Sequence, residues 1–279
     1  YSPHGQQYQP EDHEQLMYYK EATDGQLLEE GINEAGAFSS WIAAATSYAT
    51  NQCPMIPFYI YYSMFGFQRI GDLAWAAGDM RARGFLLGAT SGRTTLAGEG
   101  LQHTDGHNPL LFSVVPNCLC YDPAFAYELA VIMQDGMRRM YADQEDIYYY
   151  ITLMNENYTH PAMPKGAEDG IRKGMYLFVR MAPKQKKRVT LLSSGTILRE
   201  AIAAGQLLAD DFSIGADIFS ATSFTECRRQ AMAVARDNLL GGNKSEKTPY
   251  VTECLAQGEG PIVAATDYIR LYPEQIAAY

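Results

Sequence analysis

Glu34 is the first residue whose type and position could support chemistry. It lies in the segment GINEAGA at positions 31–37, directly before Ala35–Ala49, whose apolar residues recur at helical spacing and predict a buried helix. A carboxylate in the first turn of a helix interacts favourably with the helix dipole. On the residues alone, capping the helix is therefore the simpler role for Glu34, and a ligand contact is the alternative.

An aromatic run follows at positions 58–69, FYIYYSMFGFQR, with six aromatic residues among the first ten. Pro57–Tyr62 predicts a buried strand. Tyr62 and Phe65 fall at its carboxyl end, where open parallel sheets bind ligands. Phe65 could stack on a flat heterocycle and Arg69 could meet an anion. The alternative is an ordinary aromatic core with a surface arginine.

A long loop is predicted from Ser91 to Pro109, rich in glycine and polar residues, and it contains Glu99, His103 and His107. Two histidines four residues apart beside carboxylates could ligate zinc. The glycines disfavour the helix that such spacing suits, and no further Cys or His pair lies near in the sequence. Acid/base or substrate-orienting histidines are therefore favoured, because imidazole titrates near neutral pH.

The five cysteines are odd in number and irregularly spaced, which predicts buried thiols in a reducing compartment rather than a disulfide framework. Cys118 and Cys120 are interpreted as pointing to opposite faces of a strand, which would make them a poor metal pair. No residue of this chain is predicted to bind a metal.

Strands must alternate with helices to position these residues. Strands are predicted at Pro57–Tyr62, Phe85–Thr90, Leu119–Tyr121 and Ile147–Leu153, and helices at Ala35–Ala49, Phe65–Met80 and from Asp122-Pro123 to Tyr141. This alternation predicts an α/β fold in which helices flank a mostly parallel sheet.

A stretch rich in proline and glycine interrupts this pattern, and we predict a linker at 161–187. The alternation then restarts with strands at Val189–Ser193, Ala216–Ala221 and Ile262–Ala265 and helices at Ile197–Asp210, Glu226–Leu239 and Tyr268–Ala277. A second, smaller α/β domain is therefore expected at 188–279.

Composition excludes several classes of protein. The 279 residues are 47% hydrophobic and carry a net charge of −10. An acidic chain without a basic face argues against nucleic acid as a partner. No apolar run approaches the roughly 18 residues typical of a membrane span, so no membrane association is expected.

The quoted segments together resemble the homodimeric, bacterial type of pyruvate dehydrogenase decarboxylating component. The resemblance rests on GINEAGA, the run from PFYIYYSMFGFQRIGDL to SGRTTL and EGLQHTDGH. YDPAFAYELA, YYYITLMNENY and ATSFTE extend it through most of the chain.

This resemblance implies a transketolase-like arrangement and thiamine-diphosphate-dependent decarboxylation of pyruvate with reductive acetylation of a lipoyl group. Residues 1–160 would form most of the pyrimidine-binding domain, lacking its start, and 188–279 an incomplete C-terminal transketolase-like domain. The protein would be a cytoplasmic dimer that consumes the pyruvate produced by glycolysis. Its partners would include the lipoyl-bearing acyltransferase of the complex.

The resemblance also implies residue roles. Glu34 would hydrogen-bond the ring nitrogen of the cofactor's pyrimidine, and an apolar setting from Ile32 and Phe65 would help it hold a proton. Phe65 would pack on the pyrimidine beside Tyr62, and His103 would reach toward the substrate. Weaker substrate contacts are implied for Glu99, His107 and Arg69.

The superfamily's magnesium–diphosphate signature is absent from this sequence. Mg²⁺ and the diphosphate are therefore expected on another domain or a second subunit, and this piece alone is expected to be inactive. Two alternatives stay open. One is a subunit of a split transketolase-like or other 2-oxo acid enzyme, and the other is an assembly subunit without catalysis.

Overall fold

The structure is a computed structural model that describes residues 4–11, 13–14, 20–96, 98–241 and 246–279. The first four strands form one parallel sheet in the order β1-β2-β4-β3. Its strands are β1 Phe58–Tyr61, β2 Phe85–Ala89, β3 Cys118–Tyr121 and β4 Tyr148–Leu153. Its helices are α1 Glu34–Thr50, α2 Phe67–Asp79, α3 Asn108–Phe112 and α4 Ala126–Met137, the last followed by a π turn at Arg138–Ala142.

A second four-stranded sheet has the order β5-β7-β6-β8, in which β5 runs antiparallel to β7 and the other pairs are parallel. Its strands are β5 Tyr176–Met181, β6 Arg188–Ser193, β7 Gly215–Ser220 and β8 Ile262–Ala265. Its helices are α5 Glu168–Lys173, α6 Ile197–Phe212, α7 Phe224–Gly241, α8 Tyr250–Leu255 and α9 Leu271–Glu274. The predicted α/β class with a mostly parallel sheet and a second α/β unit is confirmed.

Both faces of the first sheet are covered by packed side chains. On one face, Phe38 and Trp41 of α1 pack with Tyr148 and Tyr150 of β4. On the other face, Ile132 of α4 joins a cluster that also contains residues of α5 and β5. Burial on both faces explains why the strands between them read as continuous apolar runs.

The second sheet begins earlier than predicted. The stretch 161–187 was expected to be a linker, but it contains α5 and β5, and β5 pairs with β7 along its length. The prolines and glycines around strand β5 led to the prediction of a linker, because both residues are also typical of connecting loops.

Three local predictions were wrong. Strand β1 is an edge strand rather than a buried one, with Phe58 44% and Ile60 63% exposed. Helix α4 begins at Ala126 rather than at Asp122-Pro123. The helix predicted at Tyr268–Ala277 is reduced to the single short helix α9.

Cys118 and Cys120 lie in the same core cluster, so the expectation that they face opposite ways is wrong. Residues two apart on a strand share one face. Both thiols are buried, and burial raises the pKa of Cys120 well above its usual range. A buried neutral thiol in an apolar core is a packing group rather than a ligand.

Among the residues that the structure describes, none of the helices combines the length and apolar character that crossing a membrane requires.

A buried carboxylate joins helix α4, which covers the first sheet, to the second sheet. Glu128 of α4 accepts hydrogen bonds from the Tyr176 hydroxyl of β5 (2.7 Å) and the Ser220 hydroxyl of β7 (2.6 Å). Its second oxygen accepts from the backbone N–H groups of Ala124 and Phe125. Burial raises the pKa of Glu128, and the four donors oppose that rise.

Tyr176→Phe is expected to lower the free energy of unfolding by about 1–2 kcal/mol, since it removes a buried donor to Glu128. The same hydroxyl also bonds the Tyr127 hydroxyl at 2.7 Å. Denaturant unfolding of the full-length protein measures the change. Tyr48→Phe is the control, because its hydroxyl makes an exposed bond to the Arg81 carbonyl. Equal changes in the free energy of unfolding of the two variants would contradict a stabilising role for the hydrogen bonds to Glu128.

Candidate active site

Glu34 is the first residue of α1, but it is not the residue that caps this helix. Asn33 does so, since its Oδ1 accepts the N–H of Gly36 at 3.1 Å. The Glu34 carboxylate points elsewhere and its Oε1 accepts from Arg69 Nη1 at 2.7 Å. The carboxylate is therefore available for a role that capping does not require.

Arg69 joins Glu34 to the aromatic run. Its guanidinium lies over the Phe65 ring, 4.1 Å from the ring centroid, while it holds the Glu34 carboxylate. The anion that Arg69 meets in this structure is thus Glu34. A guanidinium that is paired and stacked is fixed in orientation, so Glu34 has a defined position although it lies 35 residues away along the chain.

Tyr62, Phe65 and His103 form a three-ring cluster. Tyr62 and Phe65 meet edge to face at 6.2 Å between ring centroids, and the His103 ring lies 5.2 Å from Tyr62 and 5.6 Å from Phe65. Tyr62 directly follows β1, and His103 lies in the loop that follows β2. The cluster therefore sits at the carboxyl ends of neighbouring parallel strands, where this class of sheet binds ligands.

Glu99 lies on the other side of His103, with its Oε2 3.6 Å from His103 Nδ1. That nitrogen is buried and has no hydrogen-bond partner among the described residues. A small movement of either side chain would close the gap to a hydrogen bond. Glu99 is thereby placed to orient the imidazole, and Nε2 is the nitrogen left for other contacts.

Two predicted site residues lie apart from this cluster. Ile32 is 99% exposed, so it gives Glu34 no apolar surroundings, and the charged Arg69 stands beside Glu34 instead. The contribution expected from Ile32 to an apolar setting for Glu34 is therefore wrong. His107 precedes α3, and its backbone N–H donates to Asp105 Oδ1 at 2.9 Å.

Asp105, which the sequence analysis did not single out, is a fully buried carboxylate in the loop that carries His103. Its Oδ1 accepts from the N–H groups of His107 and Asn108 and from the Asn108 side-chain amide. Its Oδ2 accepts from the Ser63 hydroxyl, which also contacts the Tyr150 hydroxyl. Asp105 therefore ties the loop that carries His103 to the turn that carries Tyr62 and to strand β4.

Asp105→Asn is expected to lower the maximal turnover rate about tenfold with little change in KM, because small displacements of reacting groups are costly. Asn retains an oxygen for the loop donors, but its amide group replaces the acceptor of the Ser63 hydroxyl. Steady-state kinetics of the full-length protein measure the effect. Asp79→Asn, an exposed change at the end of α2, is the control. A loss confined to KM would contradict the positioning role.

None of these residues forms a metal centre. Within residues 4–11, 13–14, 20–96, 98–241 and 246–279, no group of three or more His, Cys, Asp or Glu side chains could hold a metal ion. The arrangement instead offers a carboxylate, an aromatic surface and an imidazole to an organic ligand.

Comparison with known families divides the chain in two. The pyruvate dehydrogenase E1 component middle domain matches residues 1–161, and the transketolase-like C-terminal domain matches residues 174–279. The pyruvate dehydrogenase E1 component of Pseudomonas aeruginosa is 62% identical over 276 residues, which cover 99% of this chain and 31% of that protein. That of Escherichia coli strain K12 is 58% identical over 280 residues, covering 100% and 31%. The chain spans about a third of the length of these curated relatives.

Solved structures share the fold at low sequence identity. Transketolase from Campylobacter jejuni is 19% identical with a TM-score of 0.57, and the match covers 83% of this chain and 32% of that one. A split-gene transketolase described as an inactive beta4 tetramer is 17% identical with a TM-score of 0.56, covering 89% and 78%. These likenesses show the transketolase-like fold. The family match over residues 1–161 shows in addition that this chain belongs to the pyruvate dehydrogenase E1 component family.

Proposed function

We propose that this chain carries the pyrimidine-binding part of the active site of a thiamine-diphosphate-dependent pyruvate dehydrogenase. The complete protein would decarboxylate pyruvate oxidatively and reductively acetylate a lipoyl group on the acyltransferase of its complex. The observation that carries this proposal is the convergence of Glu34, Phe65 and His103, from three separate segments, at the carboxyl ends of β1 and β2.

The residues fit the aminopyrimidine of the cofactor. Glu34 is only 17% exposed at its side chain, and the hydrogen bonds found for it among the described residues use Oε1 alone. Oε2 is thus free to share a proton with a ring nitrogen. Phe65 and the 42%-exposed Tyr62 supply an aromatic surface beside it. When bound, thiamine diphosphate supplies the carbanion-stabilising chemistry that decarboxylation needs.

Arg69 has an orienting role in this scheme. It fixes one oxygen of Glu34 by a charge-assisted bond and holds its own position by stacking on Phe65. The carboxylate then meets a ligand without further reorganisation, which is the condition for efficient proton sharing.

His103 would act on the substrate side. Its Nδ1 is buried toward Glu99, so Nε2 is the nitrogen through which it would exchange a proton or orient the carbonyl of the 2-oxo acid. Tyr62 packs against the imidazole and limits its rotation. Glu99 would act through His103, whereas His107 contributes its backbone to the loop.

Other parts of the scheme lie outside this chain. Mg²⁺ and the diphosphate would be held by another domain or a second subunit, which the absence of the signature motif supports. The active protein would be a cytoplasmic dimer with the cofactor between its subunits. Light scattering of the full-length protein that showed only monomer would contradict the dimer.

The decisive experiment is titration of the full-length protein with thiamine diphosphate and Mg²⁺, followed by pyruvate-dependent reduction of an artificial electron acceptor. Saturable binding and turnover are expected. Binding that requires an added second protein would indicate a split enzyme. Turnover with another 2-oxo acid and none with pyruvate would contradict the substrate assignment.

A further inference from the structure

The loop at 91–96 and 98–108, here called the site loop, is held at both ends by residues that follow strand β8 of the second sheet. Three consecutive residues between β8 and α9, Asp267, Tyr268 and Ile269, make these contacts, and we call them the clasp. The bonds that the clasp makes connect residues more than 140 positions apart in sequence, so this contact depends entirely on the tertiary fold.

Asp267 binds the beginning of the site loop. Its Oδ2 accepts from the backbone N–H of Arg93 at 2.7 Å, from that of Thr94 at 2.9 Å and from the Thr94 hydroxyl at 2.9 Å. Gly92 permits this approach, because a Cβ there would lie 2.5 Å from Asp267 Oδ2. A buried carboxylate that receives three donors makes strong, charge-assisted bonds.

The next two residues extend the contact. The Tyr268 hydroxyl bonds Ser91 Oγ at 2.7 Å, and it also donates to Asp122 Oδ1 at 3.1 Å. The Ile269 N–H donates to the carbonyl of Gly106 at 2.8 Å, near the end of the site loop. One short turn thus fixes both ends of the segment that carries His103.

The tip of the site loop depends on these ends for its position. Its backbone bonds are local turns, such as His103 N–H to the Gly100 carbonyl, and Leu101 at the tip is 86% exposed. Apart from the ring contacts of His103 with Tyr62 and Phe65, an exposed tip with only local backbone bonds has little to hold it in place. The placement of His103 against Tyr62 therefore depends also on where the loop ends are held.

We propose that the clasp is a positioning element for His103 and that Asp267 is its principal positioning residue. The catalytic consequence rests on the function proposed above, while the structural consequence does not. The second half of the chain thereby contributes directly to the geometry of a site whose catalytic groups all lie in the first half.

The test compares Asp267→Ala, Asp267→Asn and Tyr250→Phe in the full-length protein. Asn keeps an oxygen that can accept from all three donors. Tyr250→Phe is the control, because it removes a bond to the Met175 carbonyl within the same half and does not contact the loop. Hydrogen–deuterium exchange of the site loop, maximal turnover, KM and thiamine diphosphate affinity are measured for each variant.

Asp267→Ala is expected to accelerate exchange at residues 98–104 and to lower maximal turnover about tenfold, as expected for displaced reacting groups. Cofactor affinity should stay within about twofold, because Glu34 and Phe65 lie outside the loop. Asp267→Asn should recover most of the loss, and the control should resemble wild type. Unchanged exchange at 98–104 in Asp267→Ala would overturn the proposal.

Two further outcomes are distinguishable. If Asp267→Ala also accelerates exchange in the second sheet, Thr94→Val, which removes one bond from the loop side, decides the matter. The proposal then requires that Thr94→Val accelerate hydrogen–deuterium exchange at residues 98–104 and leave exchange in the second sheet unchanged. Unchanged exchange at residues 98–104 in Thr94→Val would overturn the proposal. If wild type shows no pyruvate turnover, the proposed function fails while the exchange data still test the clasp.

Discussion

Glu34→Gln in the full-length protein is expected to lower pyruvate-dependent turnover on the order of 100- to 1,000-fold, the range typical of a lost acid/base group. Gln keeps the size of the side chain and an oxygen for Arg69 Nη1, which now bonds Glu34 Oε1 at 2.7 Å. It has no ionisable oxygen to share a proton with a pyrimidine nitrogen. The loss should therefore appear in maximal turnover at saturating cofactor.

Glu29→Gln is the matched control, since Glu29 is exposed and lies five residues earlier on the same segment. It should retain turnover within about twofold, as surface changes away from a site usually do. A loss of less than tenfold in Glu34→Gln would remove Glu34 from the acid/base role. Equal losses in the two variants would point to general damage of the segment.

The sequence predicted most elements of the fold because their patterns are local. The strands β2, β4 and β8 and the helices α1 and α6 appear within a few residues of their expected bounds. Continuous apolar runs indicate strands covered on both faces, and helical spacing of apolar residues indicates helices. Strand β5 was missed because the prolines and glycines on either side of it are also typical of a linker, and its pairing with β7 is visible only in the structure.

The candidate site was partly predictable for a similar reason. Tyr62, Phe65 and the loop with His103 all follow strands, and parallel strands bring their carboxyl ends to one edge. The partner of Arg69 was not predictable, because it depends on how α1 is placed against α2. The exposure of Ile32 likewise depends on what surrounds the start of α1.

Asp105 and Asp267 show what lies beyond sequence reasoning without homologues. Each is a single carboxylate between predicted elements, which is ordinary for a connecting segment. Their importance comes from donors that arrive from distant parts of the chain, such as the hydroxyls of Tyr150 and Thr94. A buried polar network is specified by the whole fold, so it becomes visible only in three dimensions.

A third carboxylate, Asp122, joins the carboxyl ends of both sheets. It directly follows β3 and is 1% exposed. Its Oδ1 accepts from the Thr152 hydroxyl of β4 at 2.5 Å and from Tyr268 at 3.1 Å, and its Oδ2 accepts from the Ser194 hydroxyl at 2.7 Å. Ser194 and Tyr268 follow β6 and β8, so the protonation of Asp122 affects the contact between the sheets.

Burial raises the pKa of Asp122 from its ordinary value of 3.8 to about 6, against the three hydroxyl donors, and the Asp267 carboxylate raises it further. The folded state therefore binds this proton more tightly than the unfolded state. The resulting stabilisation is fully present below pH 3.8 and is lost as the pH rises through about 6. One pKa unit corresponds to about 1.4 kcal/mol, so this contribution amounts to about 3 kcal/mol.

Asp122→Asn is expected to destabilise the protein at pH 5 but not at pH 8. At pH 8, on the order of two pH units above the raised pKa, the variant avoids the buried charge. The Ser194 hydroxyl can rotate to accept from an amide that replaces Oδ2, while Thr152 and Tyr268 still donate to the remaining oxygen. The variant should then be at least as stable as wild type. At pH 5, about one unit below the raised pKa, wild type carries the proton and should be the more stable protein, by up to about 1.4 kcal/mol. Thermal unfolding of both proteins across this pH range measures the difference in their stability. Groups that titrate in both proteins, such as Glu128, contribute equally and cancel in this difference. A difference that keeps one sign and magnitude at every pH would show that Asp122 does not titrate in this range, which would contradict the prediction.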